Sequence, residues 1–309
     1  MTSCLFGVGC LALLGCVVGV PEPAQAACRV ERRAEVPIHF AAHRALVDVA
    51  VDGHTATFLL DTGADRTVFS AAAVRDMGLS RDPWVSTSIR GVGGVTERTA
   101  NVMLQSFTQG GVALRRRSVA PTLSFAVARL DLGQPGGAPV AGLLGADYLS
   151  VFDLDLDLPA GKLILDSTDG CAGAPIPWNV AVPLGRPTPT ALLAPVRTGG
   201  STLQAQLDTG ASLSLIGIKG AARLGITPDL LARDAPGSAR GIGRLTLALR
   251  NHIVPSLRLG SVEFRDVPLA FRTPAGGLPF DMLLGADLLG QQRVFISYAT
   301  DRLLIAVPP

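Results

Sequence analysis

Two short loops of identical sequence carry the residue types of this chain that are best suited to chemistry. The two copies are Asp61-Thr62-Gly63-Ala64 and Asp208-Thr209-Gly210-Ala211. A lone Asp-Thr-Gly arises by chance, but two copies 147 positions apart indicate a repeated element. Two carboxylates held about 3 Å apart cannot both ionise, so they share one proton and can act together as a base and an acid. The pair therefore predicts acid–base chemistry at a site built from two equivalent loops.

The surroundings of each loop predict the strands that hold it. Residues 58–60 and 205–207, directly before the loops, are mostly apolar, and residues 67–69 and 213–216 after them are apolar or β-prone. Short runs of this kind beside turn residues are typical of buried strands. We therefore expect each aspartate to lie in a tight polar turn between two buried strands.

Length and composition favour two β-rich domains. The 309 residues are 48 % hydrophobic and 17 % charged, and the 35 glycines and 22 prolines suit a turn-rich β protein. The formal net charge is only +2, and the one basic cluster, Arg115-Arg116-Arg117, lacks interleaved aromatic residues. We interpret this cluster as a solvated strand or loop face, and we expect no nucleic-acid partner.

The order of sequence signals in the first half recurs in the second half. The matched pairs are Val36-Pro37-Ile38 with Val182-Pro183-Leu184, Gly78 with Gly225, Arg90-Gly91-Val92-Gly93 with Arg240-Gly241-Ile242-Gly243, and Leu143-Leu144-Gly145-Ala146-Asp147 with Leu283-Leu284-Gly285-Ala286-Asp287. One unit of about 130 residues has therefore been duplicated. We predict an N-terminal lobe at residues 27–166, a linker at residues 167–177 and a C-terminal lobe at residues 178–309.

The first 26 residues are predicted to be an export signal. Residues 5–20 are apolar, and Ala24-Gln25-Ala26 is a small-residue cleavage site. A lipid anchor at Cys16 and an uncleaved membrane anchor are the alternatives. Cleavage after Ala26 leaves two cysteines, Cys28 and Cys171, which predict either a disulfide in an oxidising compartment or two unpaired thiols. We expect a periplasmic or secreted protein.

Several local patterns complete the prediction. Residues 36–53 alternate loosely and end at the hairpin-turn signal Asp52-Gly53, and the Ala-rich residues 70–77 predict a short helix capped by Gly78. Residues 152–158 alternate strictly, with Phe and Leu on one face and three aspartates on the other, and we interpret the aspartates as a solvated strand face. The sequence contains no HExxH, no GxSxG and no complete calcium loop, so we expect no metal and no cofactor.

Residues 60–68 resemble the active-site loop of retroviral-type aspartic proteases. Leu143-Leu144-Gly145 and Leu283-Leu284-Gly285 are similar to the apolar-apolar-Gly element that packs behind the catalytic loop in that family. Glycine-rich hairpin tips in each lobe resemble its flaps, and they comprise Gly91, Val92, Gly93 and Gly94, then Gly241, Ile242 and Gly243. The resemblance implies an all-β fold of two homologous closed-barrel lobes with short helices, fused in one chain as in pepsin-like enzymes, with a cleft between the lobes.

The same resemblance implies a role for each loop residue. Asp61 and Asp208 would activate a water for peptide-bond hydrolysis, without a covalent intermediate or a metal. Thr62 and Thr209 would hydrogen-bond across the lobe junction, and Gly63 and Gly210 would let the backbone turn and offer N–H groups to the carboxylates. Asp65 would bind substrate backbone, whereas the second lobe has Ser212 at that position.

The resulting hypothesis is an aspartic endopeptidase that acts on peptides or proteins as a monomer. The rival is an exported peptide-binding or scaffolding module with the same fold and little turnover.

Overall fold

A computed structural model describes residues 29–91, 96–113, 123–130, 132, 139–169, 178–240, 246–272 and 278–306. Within these ranges the chain is mostly β-structure with five short helices, which confirms the all-β prediction. The strands of the first half are β1 (Arg29–Ala41), β2 (Arg44–Val51), β3 (His54–Leu60), β4 (Val68–Ser70), β5 (Arg81–Arg90), β6 (Thr96–Leu104), β7 (Phe107–Gln109), β8 (Val112–Ala113), β9 (Leu123–Ala128), β10 (Val140–Leu144), β11 (Asp153–Asp157) and β12 (Lys162–Asp169). Its helices are α1 (Ala71–Asp76) and α2 (Ala146–Leu149).

The second half repeats this order of elements. Its strands are β13 (Val180–Pro183), β14 (Leu193–Thr198), β15 (Ser201–Leu207), β16 (Leu215–Ile216), β17 (Ala235–Arg240), β18 (Thr246–Leu259), β19 (Val262–Arg272), β20 (Met282–Leu284), β21 (Arg293–Ser297) and β22 (Arg302–Ala306). Its helices are α3 (Ile218–Arg223), α4 (Pro228–Leu231) and α5 (Ala286–Leu289).

Tight turns explain how the first lobe folds locally. Asp52 and Gly53 both have positive φ, which a two-residue hairpin turn requires, and this confirms the turn between β2 and β3. Ser70 caps α1 by accepting a hydrogen bond from the Ala73 N–H at 3.0 Å. The extended segment predicted at residues 36–53 is instead two strands, because the chain also turns between β1 and β2.

Each lobe is a barrel. In the second lobe, β14, β15, β20, β16, β19 and β18 pair in that order, and β18 pairs back with β14 to close six strands. In the first lobe the equivalent path runs β2, β3, β10, β4, β9 and β6, and β7, which is separated from β6 by two residues, pairs with β2. The large fully buried side chains, among them Phe58, Phe69, Phe107 and Phe271, lie in the core that these strands enclose.

A sheet of six strands joins the two lobes. Its order is β13, β22, β21, β11, β12 and β1, so strands of the second half lie directly beside strands of the first half. β11 pairs with β21 in antiparallel register, with Leu154 opposite Ile296. The lobes therefore share backbone hydrogen bonds and a continuous apolar core, in addition to the cleft between them.

The alternating aspartates of β11 correct one sequence prediction. Asp153 and Asp155 are only 2 % and 6 % exposed, so they do not form a solvated face. Asp153 accepts hydrogen bonds from the Ser297 hydroxyl and the Ala299 N–H, both at 3.0 Å. Asp155 accepts two from the Arg293 guanidinium, at 2.9 and 2.7 Å. The groups that satisfy these carboxylates belong to the second half of the chain, which a period-two pattern cannot reveal.

Some predicted features lie partly or wholly outside the described residues. β12 extends to Asp169, so strand structure reaches into the segment predicted as a linker, and residues 170–177 are outside the described ranges. The export signal, the cysteines Cys28 and Cys171, and the basic cluster at residues 115–117 are outside them as well. Within the described residues, no helix combines the length and the apolar character needed to cross a bilayer.

Candidate active site

The two aspartate loops lie at the ends of equivalent strands. Asp61 directly follows β3 and Asp208 directly follows β15. The Asp61 N–H donates to the Leu144 carbonyl and the Asp208 N–H donates to the Leu284 carbonyl, both at 3.0 Å. Because β10 and β20 run parallel to β3 and β15, these bonds extend the sheets into the loops and fix where each loop begins.

The two carboxyl groups meet in a buried position. Asp61 and Asp208 are 9 % and 8 % exposed, and their carboxyl groups lie close enough for each to shift the pKa of the other. Asp61 Oδ1 also accepts hydrogen bonds from the N–H groups of Gly63 and Ala64 at 3.1 and 2.9 Å. Asp208 Oδ1 accepts one from the Ala211 N–H at 3.0 Å. One oxygen of each carboxyl group is thus held by backbone N–H groups of its own loop.

Burial raises the pKa of both aspartates above their ordinary value of 3.8, and the neighbouring charge of Asp208 raises the pKa of Asp61 further. The N–H groups of Ala64 and Ala211 oppose this change because they stabilise the ionised form. The two groups titrate as a pair, so the pair keeps one proton to a higher pH than isolated aspartates would.

The loop glycines make room for the opposite carboxyl group. A Cβ at Gly63 would lie 2.4 Å from Asp208 Cγ, and a Cβ at Gly210 would lie 2.3 Å from Asp61 Cγ. Neither glycine has a positive φ, so the turn in each loop does not by itself require glycine; the Gly63 N–H does donate to the Asp61 carboxylate as expected. Glycine is required here because any side chain would separate the two aspartates.

The two threonines join the loops through four hydrogen bonds. The N–H of Thr62 donates to Thr209 Oγ1, and the N–H of Thr209 donates to Thr62 Oγ1, each at 3.1 Å. The Thr62 hydroxyl donates to the Leu207 carbonyl at 3.0 Å, and the Thr209 hydroxyl donates to the Leu60 carbonyl at 2.7 Å. The hydrogen bonds expected across the lobe junction are therefore present, and they link the two loops by buried groups on both sides.

A second clamp holds the chain that leaves each loop. The Thr67 N–H and hydroxyl both donate to Asp147 Oδ1 at 2.7 Å. In the second lobe the N–H and hydroxyl of Ser214 donate to Asp287 at 2.9 and 2.7 Å. Burial raises the pKa of both Asp147 and Asp287, and these hydrogen bonds lower it in part. The Gly-Ala-Asp residues after the two Leu-Leu pairs thus pack behind the loops as the resemblance implied.

A cleft of about 810 Å³ opens above the two carboxyl groups and is lined by both lobes. The predicted substrate-binding residues Asp65 and Ser212 line it, and so does Gly91. Asp65 is exposed, and its carboxylate accepts a hydrogen bond from the Thr190 hydroxyl at 2.6 Å. The other predicted flap residues, Val92, Gly93, Gly94, Gly241, Ile242 and Gly243, lie outside the described residues.

Sequence reasoning missed several residues of this site. Gln206 is buried in the second lobe, and its side-chain amide donates to the Gly63 carbonyl at 3.1 Å. Its counterpart in the first lobe is Leu59, so this contact has no pseudo-symmetric partner. Arg44 and Arg66 line the cleft from the first lobe. A comparison of the two repeats, position by position, would have drawn attention to these differences.

Comparisons with known proteins agree with this geometry. The sequence model of a family described as aspartyl protease matches residues 47–148 and again residues 194–288, which together exceed half of the chain. A solved structure of an aspartic proteinase from Irpex lacteus is similar to this chain with a TM-score of 0.53 at 15 % identity, covering 90 % of this chain and 97 % of that one. At that identity the likeness establishes the fold alone. No curated protein sequence matches the chain significantly.

Proposed function

Since this chain belongs to the aspartyl protease family, we propose that it is an endopeptidase whose catalytic pair is Asp61 and Asp208. The observation that carries the proposal is the meeting of these two buried carboxyl groups at the floor of a cleft that both lobes line. Both loops belong to one polypeptide, so we propose that a monomer is sufficient for activity.

The proposed reaction is the addition of water across a peptide bond. The ionised carboxylate takes a proton from a water bound between the two aspartates, and the neutral carboxyl group donates its proton to the carbonyl oxygen of the substrate. The oxygen of the water bonds to the carbonyl carbon, which gives a tetrahedral gem-diol. The aspartate that is now ionised takes a proton from one hydroxyl of this gem-diol, and the aspartic acid that is now neutral donates its proton to the peptide nitrogen. The C–N bond then breaks to release the amine and the carboxylic acid, and the pair again holds one proton. The four threonine hydrogen bonds support this chemistry because they hold both carboxyl groups in register.

Digestion of a peptide library by the purified protein tests this proposal. We expect the wild type to cleave and Asp61→Asn and Asp208→Asn each to lose cleavage while remaining folded, because one carboxyl group cannot act as both acid and base. Asp229→Asn, the same substitution at an exposed position in α4, is the matched control and should keep full activity. Near wild-type turnover by either site variant would refute the pair. Peptide binding by the wild type without any cleavage would establish the rival, a peptide-binding module.

We also propose that the protein is exported and that Cys28 and Cys171 form a disulfide. The strand register supports the second point, because Arg29 and Asp169, close in sequence to the two cysteines, are paired between β1 and β12. Cell fractionation with N-terminal sequencing should find the mature protein outside the cytoplasm with Ala27 first; a start at a lipidated Cys16 would favour the anchored alternative. Peptide mapping without reduction should recover the two cysteines in one linked fragment, and two free thiols would refute the disulfide.

A further inference from the structure

Arg66 and Leu213 occupy equivalent positions on opposite walls of the cleft. Each is the fifth residue after the aspartate of its own loop. A Cβ at Gly145 would lie 2.3 Å from the Arg66 carbonyl carbon, and a Cβ at Gly285 would lie 2.8 Å from the Leu213 carbonyl carbon. The backbones at both positions are therefore packed directly against a glycine, which holds each of them at the same place in its lobe.

The residues that follow reinforce this equivalence. Thr67 and Ser214 bind Asp147 and Asp287, respectively, through both the N–H and the hydroxyl, so the chain is fixed one residue beyond Arg66 and Leu213. The side chains of Arg66 and Leu213 are both exposed and both line the cleft. The duplicated fold thus offers two matched positions, one cationic and one aliphatic, on either side of the aspartate pair.

The first wall of the cleft is positively charged. Apart from Asp61, it is lined by Arg44, Arg66 and Arg90 together with one acidic residue, Asp65, whose carboxylate accepts a hydrogen bond from Thr190. The guanidinium of Arg44 donates to the backbone carbonyl of Leu132, which anchors it in the wall. The exposed side chain of Arg66 lines the cleft, and its positive charge also lowers the pKa of Asp147 in part.

The second wall is apolar at the corresponding positions. The residue 147 positions after Arg44 is the buried Ala191, and the residue 147 positions after Arg66 is Leu213. Arg90 has an arginine counterpart, Arg240, so the difference between the walls rests on the first two positions. Among the described residues, the second lobe otherwise contributes leucines such as Leu215, Leu247, Leu249 and Leu283 to this surface.

We propose that the cleft selects peptides with an acidic side chain on the first-lobe side of the scissile bond and an aliphatic or aromatic side chain at the matching place on the second-lobe side. This inference rests on the proposed function and adds its substrate class. A carboxylate facing Arg66 forms a charge-assisted hydrogen bond, whereas the same carboxylate facing Leu213 loses water without gaining a partner. Attraction of the carboxylate by the first wall and its exclusion by the second wall favour the same orientation of the peptide. The cleft therefore selects the order of the acidic and apolar residues along the peptide.

Two peptides of identical composition test the proposal. Glu and Leu exchange places at equal distances on either side of one scissile bond, and a third peptide carries Gln in place of Glu. We expect the wild type to prefer one order by about tenfold or more in kcat/KM, as expected for a hydrogen bond to a charged group. The preference should shrink at high salt, because screening weakens attraction between partly exposed charges.

Substitutions at Arg66 and Leu213 test whether these two side chains cause the order preference. Arg66→Leu, or the milder Arg66→Gln, should reduce the order preference to the small difference seen with the Gln peptide. Arg66→Leu combined with Leu213→Arg should reverse the preferred order. Arg265→Leu, at an arginine with a 79 % exposed side chain outside the cleft, is the control and should leave the preference unchanged.

Two results would overturn this inference. One is a wild-type preference near unity; the other is a preference that survives in both Arg66 variants. Failure of the proposed function is distinguishable, because the wild type would then cleave none of the three peptides. In that case, fluorescence anisotropy of the labelled peptides still measures the order preference through binding, and equal binding of both orders would refute the inference.

Discussion

Alanine at position 210 would place a methyl group where the Asp61 carboxyl group now lies. The added Cβ would be 2.3 Å from Asp61 Cγ and 2.5 and 2.6 Å from its oxygens. The Asp61 side chain is not free to move aside, because two N–H groups of its own loop bind one of its oxygens. Ordinary contact begins near 3.4 Å, so the two loops must separate by about 1.1 Å.

A displacement of this size has a large expected effect on catalysis. Misplacing reacting groups by about 1 Å costs on the order of 100-fold in rate, which corresponds to about 2.7 kcal/mol of transition-state stabilisation. We expect this loss to appear in kcat, whereas KM changes much less because the cleft walls that contact the peptide are unaltered. The separated carboxyl groups should also interact less, so the two apparent pKa values of the rate profile should approach each other.

The assay is peptide hydrolysis measured as kcat and KM across roughly pH 3 to 8, with thermal unfolding to establish that the variants are folded. Gly63→Ala should behave like Gly210→Ala, because its Cβ would lie 2.4 Å from Asp208 Cγ. Gly185→Ala is the matched control: its backbone needs no positive φ, and the nearest atoms to its Cβ would be at 3.9 Å. The control should keep wild-type kinetics.

The reasoning is refuted if Gly210→Ala retains a kcat within about threefold of the wild type while the control does the same. Such a result would mean that the loops tolerate separation and that close contact of the carboxyl groups is not required. An equal loss in Gly185→Ala would instead show that the kinetic effect does not report on this contact.

Four further outcomes are expected. Activity should peak near roughly pH 5–6. The double variant Ala64→Ser, Ala211→Ser should move the acidic limb of the kcat/KM profile to lower pH, because a hydroxyl donor favours the ionised carboxylate. An acidic limb at the same pH as in the wild type would contradict this prediction. Burial raises the pKa of Asp166 from 3.8 to about 6. The stability that protonated Asp166 contributes is therefore complete below pH 3.8 and is lost as the pH rises through about 6. Urea unfolding should therefore show that the free energy of unfolding of the wild type decreases over this pH range and that the decrease is smaller in Asp166→Asn. An equal decrease in the variant would contradict this prediction. Thr62→Val leaves two buried backbone groups of the second lobe unsatisfied and should lower the free energy of unfolding by roughly 2 kcal/mol or more, whereas a loss below about 0.5 kcal/mol would contradict the geometry. Specific activity should not fall on dilution, since both loops belong to one chain, and a concentration-dependent loss that parallels dissociation would show that lobes of different chains pair.

The parts of the fold that the sequence predicts are those encoded by local and repeated patterns. The Asp-Thr-Gly loops, the turn at Asp52 and Gly53 and the short helix that ends before Gly78 all depend on residues close together in the chain. Because the unit is duplicated, each element is encoded twice in the sequence, and a weak sequence pattern in one lobe is supported by its counterpart in the other. This is why a duplicated, β-rich architecture could be inferred from one sequence, whereas the closed barrels were implied by the resemblance to retroviral-type aspartic proteases.

The parts that could not be predicted depend on distant or atypical residues. The turn between β1 and β2 places Ala42 and His43 at positive φ, although neither residue is a typical turn former. Asp153 looked solvated because its partner Ser297 lies 144 residues further along the chain. The contact of Gln206 with the first loop is likewise invisible locally, since nothing near Gln206 in the sequence indicates a partner 143 residues away.

The sheet shared by the two lobes also sets an order of events during synthesis. β11 lies between β12, which is made almost immediately after it, and β21, which begins at Arg293. A nascent chain that ends before this point already contains both aspartate loops, but β11 presents an open edge and Asp155 has no guanidinium to bind. The first lobe can therefore reach its final packing only after the last strands have emerged. A chain that is terminated before Arg293 would therefore carry both aspartate loops without the strands that join β11 to the second lobe.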